Sequence, residues 1–343
     1  MTIRPNLRPQ PGRPDPTPDR VLHASDEVRI GAFRCPVDHH DFATAGPIEG
    51  YTVGFPRTAV WIEHADRPPF VADPGVVTIY NYGQPYRRRP LAPDGDRVDW
   101  FSVSRELAES LVADLDPEAA AGSRGPFPIA FGRIPTSLYC HQRALFNRIR
   151  RGELHDPFEI EQEVTVLLGT VLRWTVGTRP GLGSVPSRRH RDLVERTRAA
   201  LVAEPFRRST VRDLAARVGA SPFHLCRVFH RATGLTLHHY QLEIRTRLAI
   251  ERVEQGDSLS RVALELGFSS HSHFTAEFRR RVGAAPSRLR TALAPGAGRS
   301  VAGQVHLPKE PPLASLPAQH RQVLGPRRRR TQHRVAGQVV PPQ

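Results

Sequence analysis

Short runs of alternating apolar and polar residues fill the first third of the chain, between Val28 and Ser104: "YTVGFP", "TAVWIEH", "GVVTIYNYG" and "DRVDWFSVS". Clusters of Pro, Gly and Asp, such as "RPPFVADPG" and "LAPDGD", separate them. Regular short strands with this punctuation predict a β-sandwich or small barrel. From Pro135 to Val176 the apolar spacing lengthens to three and four residues: Leu145, Ile149, then Ile160, Val164, Leu167, Leu168 and Val171. Two helices joined around "GELHDP" follow, the second starting at Asp156 or Pro157. Their apolar stripe either completes the core of the strand domain or forms a dimer contact. "GTRPGLGSVPSRRH", residues 177–190, has the texture of a linker, and the pattern beyond it is helical to Leu293. Residues 1–26 and 294–343 are rich in Pro and Arg without apolar periodicity, and are expected to be disordered.

Within residues 191–293 the helical pattern repeats itself. From Ser221, apolar Leu225 lies four residues on, Phe229 eight and Gly234 thirteen; from Ser270 the same steps reach Phe274, Phe278 and Gly283. A helix-turn-helix accounts for this count, because it needs a residue tolerating φ > 0 in the turn, a cap for the second helix and apolar residues to lock the angle. Leu214, Ala215 and Val218 form the first buried stripe, Gly219 turns, Ser221 caps, and Pro222 occupies the first helical position, where its missing N–H costs nothing. Val262, Ala263, Leu266, Gly267 and Ser270 repeat these roles with a turn one residue longer. Phe223, Cys226, Arg227 and His230 are left outward in the first unit, and His271, Ser272, Thr275, Ala276 and Arg279 in the second. "HHYQLEIRTRLAIERVEQG", with Leu242, Ala249, Ile250 and Val253 on one face, is long enough to be a helix joining the units. Two such heads could enter successive major grooves roughly 34 Å apart.

Charge sharpens this picture. The formal net charge is +15, of which residues 1–186 carry roughly −2, residues 187–292 roughly +10 and the tail roughly +7. The polyanion-binding surface is therefore expected in the last third. The "RRRR" of Arg327 to Arg330 adds non-specific attraction. Three widely spaced cysteines, Cys35, Cys140 and Cys226, fit reduced thiols better than a disulfide framework. No apolar run approaches the ~18 residues of a membrane span, and the Pro-rich N-terminus does not read as a secretory signal.

"LAARVGASPFHLCRVFHRATG", "YQLEIRTRLA" and "VALELGFSSHSHFTAEFRRRVGAAPSRLR" resemble the DNA-binding domain of the AraC/XylS family of bacterial transcription regulators, over about Arg191 to Arg290. The resemblance implies two helix-turn-helix units joined by a linker helix, each second helix reading the major groove. Base-reading positions then fall on Phe223, Cys226 and Arg227 and on His271, Ser272, Thr275 and Ala276. Arg245 falls on the linker-helix arginine usual in the family, a structural or phosphate-contacting residue. Ala276 departs from the pattern, since many members have Arg there. Family members commonly carry an N-terminal cupin-like barrel that binds an effector or dimerises, and "GVVTIYNYGQPYRR" is loosely similar to it. The implied whole is an α+β two-domain protein: a cupin-like β-barrel with a helical pair over residues 27–176, and an all-α double helix-turn-helix. Its expected function is that of an effector-responsive activator in the cytoplasm, associated with the nucleoid when bound to double-stranded DNA. RNA polymerase, a small-molecule effector of unassigned identity and a second copy of the chain are its expected partners.

The alternative is a cupin-type metal-binding enzyme or metal sensor fused to the DNA reader. Its candidate ligands are Cys35, His39, His40, Glu63 and His64, from "CPVDHHDF" and "IEHAD". Adjacent histidines on a strand point to opposite faces, so at most one of His39 and His40 would enter a barrel. These weigh towards ordinary histidines, and no catalytic residue, cofactor or metal is expected. A repair methyltransferase would need clustered metal-liganding cysteines, which three dispersed ones do not provide.

Overall fold

The computed structural model describes residues 18–43, 46–65, 67–113, 115–120, 125–177, 187–207 and 209–293. The N-terminal part contains β1 (Asp19–Ala24), β2 (Val28–Cys35), β3 (Tyr51–Pro56), β4 (Val60–His64), β5 (Phe70–Ala72), β6 (Val76–Tyr80), β7 (Tyr86–Pro90) and β8 (Asp96–Val103). Then come α1 (Arg105–Ala113), α2 (Pro117–Ala120), β9 (Phe131–Arg133), α3 (Thr136–Arg150) and α4 (Pro157–Gly177). The C-terminal part is helical: α5 (Arg188–Ala203), α6 (Val211–Val218), α7 (Pro222–Thr233), α8 (Leu237–Glu254), α9 (Leu259–Glu265), α10 (His271–Val282) and α11 (Pro286–Leu293).

The strands form two antiparallel sheets, of order β1-β2-β8-β3-β6-β9 and β5-β4-β7. Every residue of β3 and β6 is buried, because each strand has a covered face on both sides. Tyr51, Val53, Phe55, Val77 and Ile79 pack with Leu138, Leu145 and Phe146 of α3 and with Val164, Leu167 and Leu168 of α4. On the opposite face, Cys35 of β2 joins Val60 and Ile62 of β4 and Phe70 and Ala72 of β5 in a second cluster between the sheets. The barrel expectation is thus met as two facing sheets with the helical pair on the outer side of the larger one.

Two expectations change, and one alternative left open is decided. Asp19–Ala24 lies within the stretch read as disordered, yet it forms β1. Pairing with the edge of β2 supplies its backbone partners, and the Trp100 indole donates to Asp19 at 2.7 Å, contacts that local composition cannot reveal. Helix α5 begins at Arg188, before residue 191, because the Ser187 hydroxyl accepts the His190 N–H and caps it. The apolar stripe of α4 is core: Ile160, Val164, Leu167 and Val171 are at most 1% exposed within one chain, so they cannot meet a second copy. Residues 1–17, most of the expected linker (178–186) and the tail 294–343, with its Arg327 to Arg330 run, lie outside the described residues.

Leu167→Ala should therefore cost stability rather than self-association. Loss of this buried side chain is expected to lower the unfolding free energy by about 2–5 kcal/mol in chemical denaturation. A change below about 1 kcal/mol, or a shift in sedimentation without one in stability, would place Leu167 at an interface instead.

Candidate DNA-binding surface

Helix α6 starts at a reciprocal cap, in which Thr210 Oγ1 accepts the Asp213 N–H while the Asp213 carboxylate accepts the Thr210 N–H. It ends at Gly219, whose φ of 68° is the left-handed conformation that the turn requires. Two residues later the Ser221 hydroxyl accepts the His224 N–H, Pro222 opens α7, and Leu225, Val228 and Phe229 are buried against Leu214, Ala215 and Val218. This inner packing fixes what points outward. Phe223 is 77% exposed, Cys226, Arg227 and His230 are exposed beside it, and the Arg227 guanidinium lies 5.9 Å from the Phe223 ring centre. That separation is within cation–π range and keeps both side chains on one face near the helix N-terminus.

The second unit repeats the device. Gly267 turns with φ 72°, the Ser270 hydroxyl accepts the His273 N–H, and Phe274, Phe278 and Val282 are buried. The additional turn residue is accommodated by burying Phe268, whose ring meets Phe274 at 5.1 Å. His271, Ser272, Thr275, Ala276, Arg279 and Arg280 line one open hollow of ≈ 640 Å³. Thr275 is half-buried, whereas His271, Ser272 and Ala276 are exposed. Of the three consecutive arginines, Arg280 and Arg281 both pair with Glu277, Arg281 turning back onto the helix while Arg279 and Arg280 stay exposed.

Arg245 of α8 ties the units together. Its guanidinium donates to the Pro205 carbonyl at 2.7 Å, ahead of the first unit, and to the Gly267 carbonyl at 3.0 Å in the turn of the second. A side chain at Gly267 would press on the Phe206 carbonyl and the Arg245 guanidinium, at 3.0 and 3.3 Å, so close approach as well as positive φ calls for glycine there.

Comparison with known proteins agrees with this geometry. A family profile described as a helix-turn-helix domain matches residues 214–292. Over 105 residues the chain is 38% identical to an uncharacterized HTH-type transcriptional regulator, YidL, of Escherichia coli K12. Residues 214–292 are an AraC-type helix-turn-helix domain. The match spans 30% of this chain and 34% of YidL, so about a third of that relative's length is covered. Among solved structures, an AraC-type DNA-binding domain-containing regulator from Chromobacterium violaceum is similar, at 27% identity over 30% of this chain and 94% of that one, with a TM-score of 0.29. ToxT from Vibrio cholerae aligns over 79% of this chain and 100% of its own, at 13% identity and a TM-score of 0.31.

The AraC-type domain presents Phe223, Cys226 and Arg227 on one helix, and His271, Ser272, Thr275 and Ala276 on the other. Arg245 is buried, and its guanidinium is held by backbone carbonyl groups.

Less visible in the sequence is how tightly the N-terminal part holds this domain. Asp73, fully buried in the turn after β5, accepts from the Tyr240 hydroxyl of α8 at 2.5 Å and from Arg198 of α5 at 2.9 Å. Arg247 of α8, 1% exposed, donates to the carbonyls of Pro74 and Ile134, and its guanidinium lies 5.1 Å from the Tyr139 ring centre. Arg57 and Arg97 reach Glu251, Arg143 reaches Glu254, and Arg133 reaches both Glu243 and the Thr233 carbonyl at the end of α7. The available signal was that apolar residues of α8 (Leu237, Tyr240, Leu242, Ile244, Ala249, Ile250, Val253) go right round the helix, as they do when no face meets water.

These ion pairs set a pH dependence. Burial pushes the Asp99 carboxyl up, but the Arg143 and Arg57 guanidiniums override it and hold the acid below its ordinary range. Glu251 is likewise held down, by Arg57 and Arg97 against the effect of burial. A depressed carboxylate binds its proton less readily folded than unfolded, so its contribution is present at neutral pH and is lost as pH falls through the folded value. Glu195 is raised by burial and has the opposite sign, so the test is a difference. The stability advantage of the parent over an Asp99→Asn, Glu251→Gln variant should shrink as pH drops from 7 to below about 4, followed by denaturant midpoints. A constant advantage across that range would show that these carboxylates are not what couples the interface to pH.

Proposed function

We propose that this protein is a sequence-specific DNA-binding transcription regulator, an effector-responsive activator that acts by binding rather than by catalysis. The observation that carries this reading is the capped pair of reading helices. The same internal packing turns Phe223, Cys226 and Arg227 outward from α7, and His271, Ser272, Thr275 and Ala276 outward from α10. Side chains leaving the first turns of a helix are those that reach base edges in a major groove. A rigid α8 between the helices suits two heads that address successive grooves on one side of a duplex.

The effector reading rests on polar groups set beside the apolar cluster between the two sheets: Thr78, Tyr80, Arg88 and Asp96, all buried, and Tyr86, packed against that cluster. Arg88 donates to Asp96 at 3.1 Å, yet Arg88 Nε and Asp96 Oδ1 are buried without a hydrogen-bond partner among the described residues. A small polar molecule would satisfy both. Through α8, a change in this domain would alter how the reading helices are presented to DNA. RNA polymerase and a second copy of the chain complete the proposed partners. The dimer contact would use a surface other than the buried α4 stripe. The setting is the cytoplasm, on the nucleoid; among the described residues no helix is long and apolar enough to cross a membrane.

Arg227 separates base reading from charge attraction. A guanidinium here could donate two bonds to the O6 and N7 of one guanine. Arg227→Ala should cost about 1–3 kcal/mol on the cognate site and relax preference at one base position. Titrations against the cognate site and its single-base variants at two salt concentrations measure this. Equal loss on every sequence would assign Arg227 to a phosphate.

A further inference from the structure

The five residues weighed as metal ligands do not converge. Cys35 is buried in the inter-sheet cluster, where burial pushes its thiol up and away from the thiolate that binds metal. Glu63 pairs outward with Arg89 at 2.5 Å. His64 stacks on Phe70 and meets the Gln84 amide at 3.2 Å. His39 and His40 behave differently from the strand expectation. They lie in a turn after β2, so the alternation that would send them to opposite faces does not apply, and their rings stack with centres 4.4 Å apart. The next residue, Asp41, brings a carboxylate to the same place. Its Oδ2 is 3.2 Å from His40 Nε2 and 3.9 Å from His39 Nδ1.

We propose that His39, His40 and Asp41 form a binding site for a divalent transition-metal ion of the zinc class. One donor atom from each residue lies within 4.8 Å of the other two. Zinc–nitrogen and zinc–oxygen bonds of about 2.0–2.2 Å place neighbouring donors of a tetrahedral site roughly 3.4 Å apart. The two spacings to the Asp41 carboxylate, 3.2 and 3.9 Å, bracket that value, and turning the stacked imidazoles about their side-chain bonds would aim their in-plane lone pairs at one ion. Two imidazoles and one carboxylate suit zinc, nickel or copper(II) better than magnesium or calcium, which take oxygen ligands. Three protein donors leave the fourth position of a tetrahedral ion to water or to a further ligand.

The turn is pre-formed, which removes much of the ordering cost of chelation by consecutive residues. The His39 N–H donates to the Pro36 carbonyl at 3.1 Å, and the Phe42 N–H to the His39 carbonyl at 2.9 Å. The Phe42 side chain is buried immediately after the ligands. Arg88 Nη2 donates to the Asp41 carbonyl at 3.0 Å while its own charge is met by Asp96, so the backbone of the third ligand is anchored from inside the domain. The Asp41 N–H contact to His39 Nδ1, at 3.2 Å, is the one local bond that metal would displace if it took that nitrogen.

The site stands independently of DNA recognition, so its failure would leave the regulator reading untouched. The test is zinc binding to the full chain in competition with a chromophoric chelator. One equivalent should bind, with affinity falling at least tenfold in His40→Ala and in Asp41→Asn. His155→Ala, which removes an exposed histidine elsewhere, should leave it unchanged. Because His40 is exposed, its loss leaves the fold in place, and zinc should also shift the ring-proton NMR signals of His39 and His40 in the parent. Undiminished zinc affinity in a His39→Ala, His40→Ala double variant, or ring signals that do not move at one equivalent of zinc, would overturn the proposal.

Discussion

Helix α8 carries charged residues that reach other elements, among them Glu243, Arg245, Arg247, Glu251 and Glu254, and yet from Tyr240 onward none of its residues is exposed. Taking such charges out of water is costly unless each is met by an opposite charge or a hydrogen bond. The rest of the structure supplies those partners. Arg57, Arg97, Arg133 and Arg143 come from the sheet domain and α3, the carbonyls of Pro74 and Ile134 from the loops before β6 and α3, that of Pro205 from the segment between α5 and α6, and that of Gly267 from the turn of the second unit. Because a buried ion that loses its partner is strongly destabilising, these contacts allow one placement of α8 and penalise others. The orientation of both reading helices follows from that placement.

The AraC-type domain was legible because its requirements are local. A left-handed turn needs glycine at 219 and 267, a helix start is helped by serine at 221 and 270, and burial of one face requires Leu225 and Phe229 or Phe274 and Phe278 at helical spacing. Each can be read from neighbours in the chain. The strands and the α3–α4 pair were legible for the same reason. What could not be read was long-range. Asp73 and Tyr240 are 167 residues apart, and nothing around either announces the other. Charged residues on a helix are ordinarily solvated, so Arg247 and Glu251 gave no sign of burial beyond the apolar residues around them. Similarly, β1 owes its order to an edge of β2, and the α4 stripe to a sheet it does not touch in sequence. His39 and His40 were misplaced because the strand ended sooner than its alternation suggested.

The two halves therefore do different work with the same kinds of residue. In the AraC-type domain, packing is arranged to leave Arg227, Cys226, His271 and Ser272 outward, where their side chains are exposed. Between the sheets and around α8, arginines and carboxylates are turned inward and satisfy one another. This division explains why the domain with the larger positive charge also uses arginines such as Arg198, Arg245 and Arg247 as internal fasteners. Net charge alone overstates the number available to DNA.

The central claim is that α8 belongs to one cooperative unit with the sheet domain. Backbone hydrogen exchange of the full chain measures this directly. Amides of α8 from Tyr240 to Val253 should exchange as slowly as those of β3 and β8, because both open only when the buried ion pairs are broken. Exchange of α8 at the rate of the exposed ends of α7 and α10, with β3 and β8 still protected, would contradict the account.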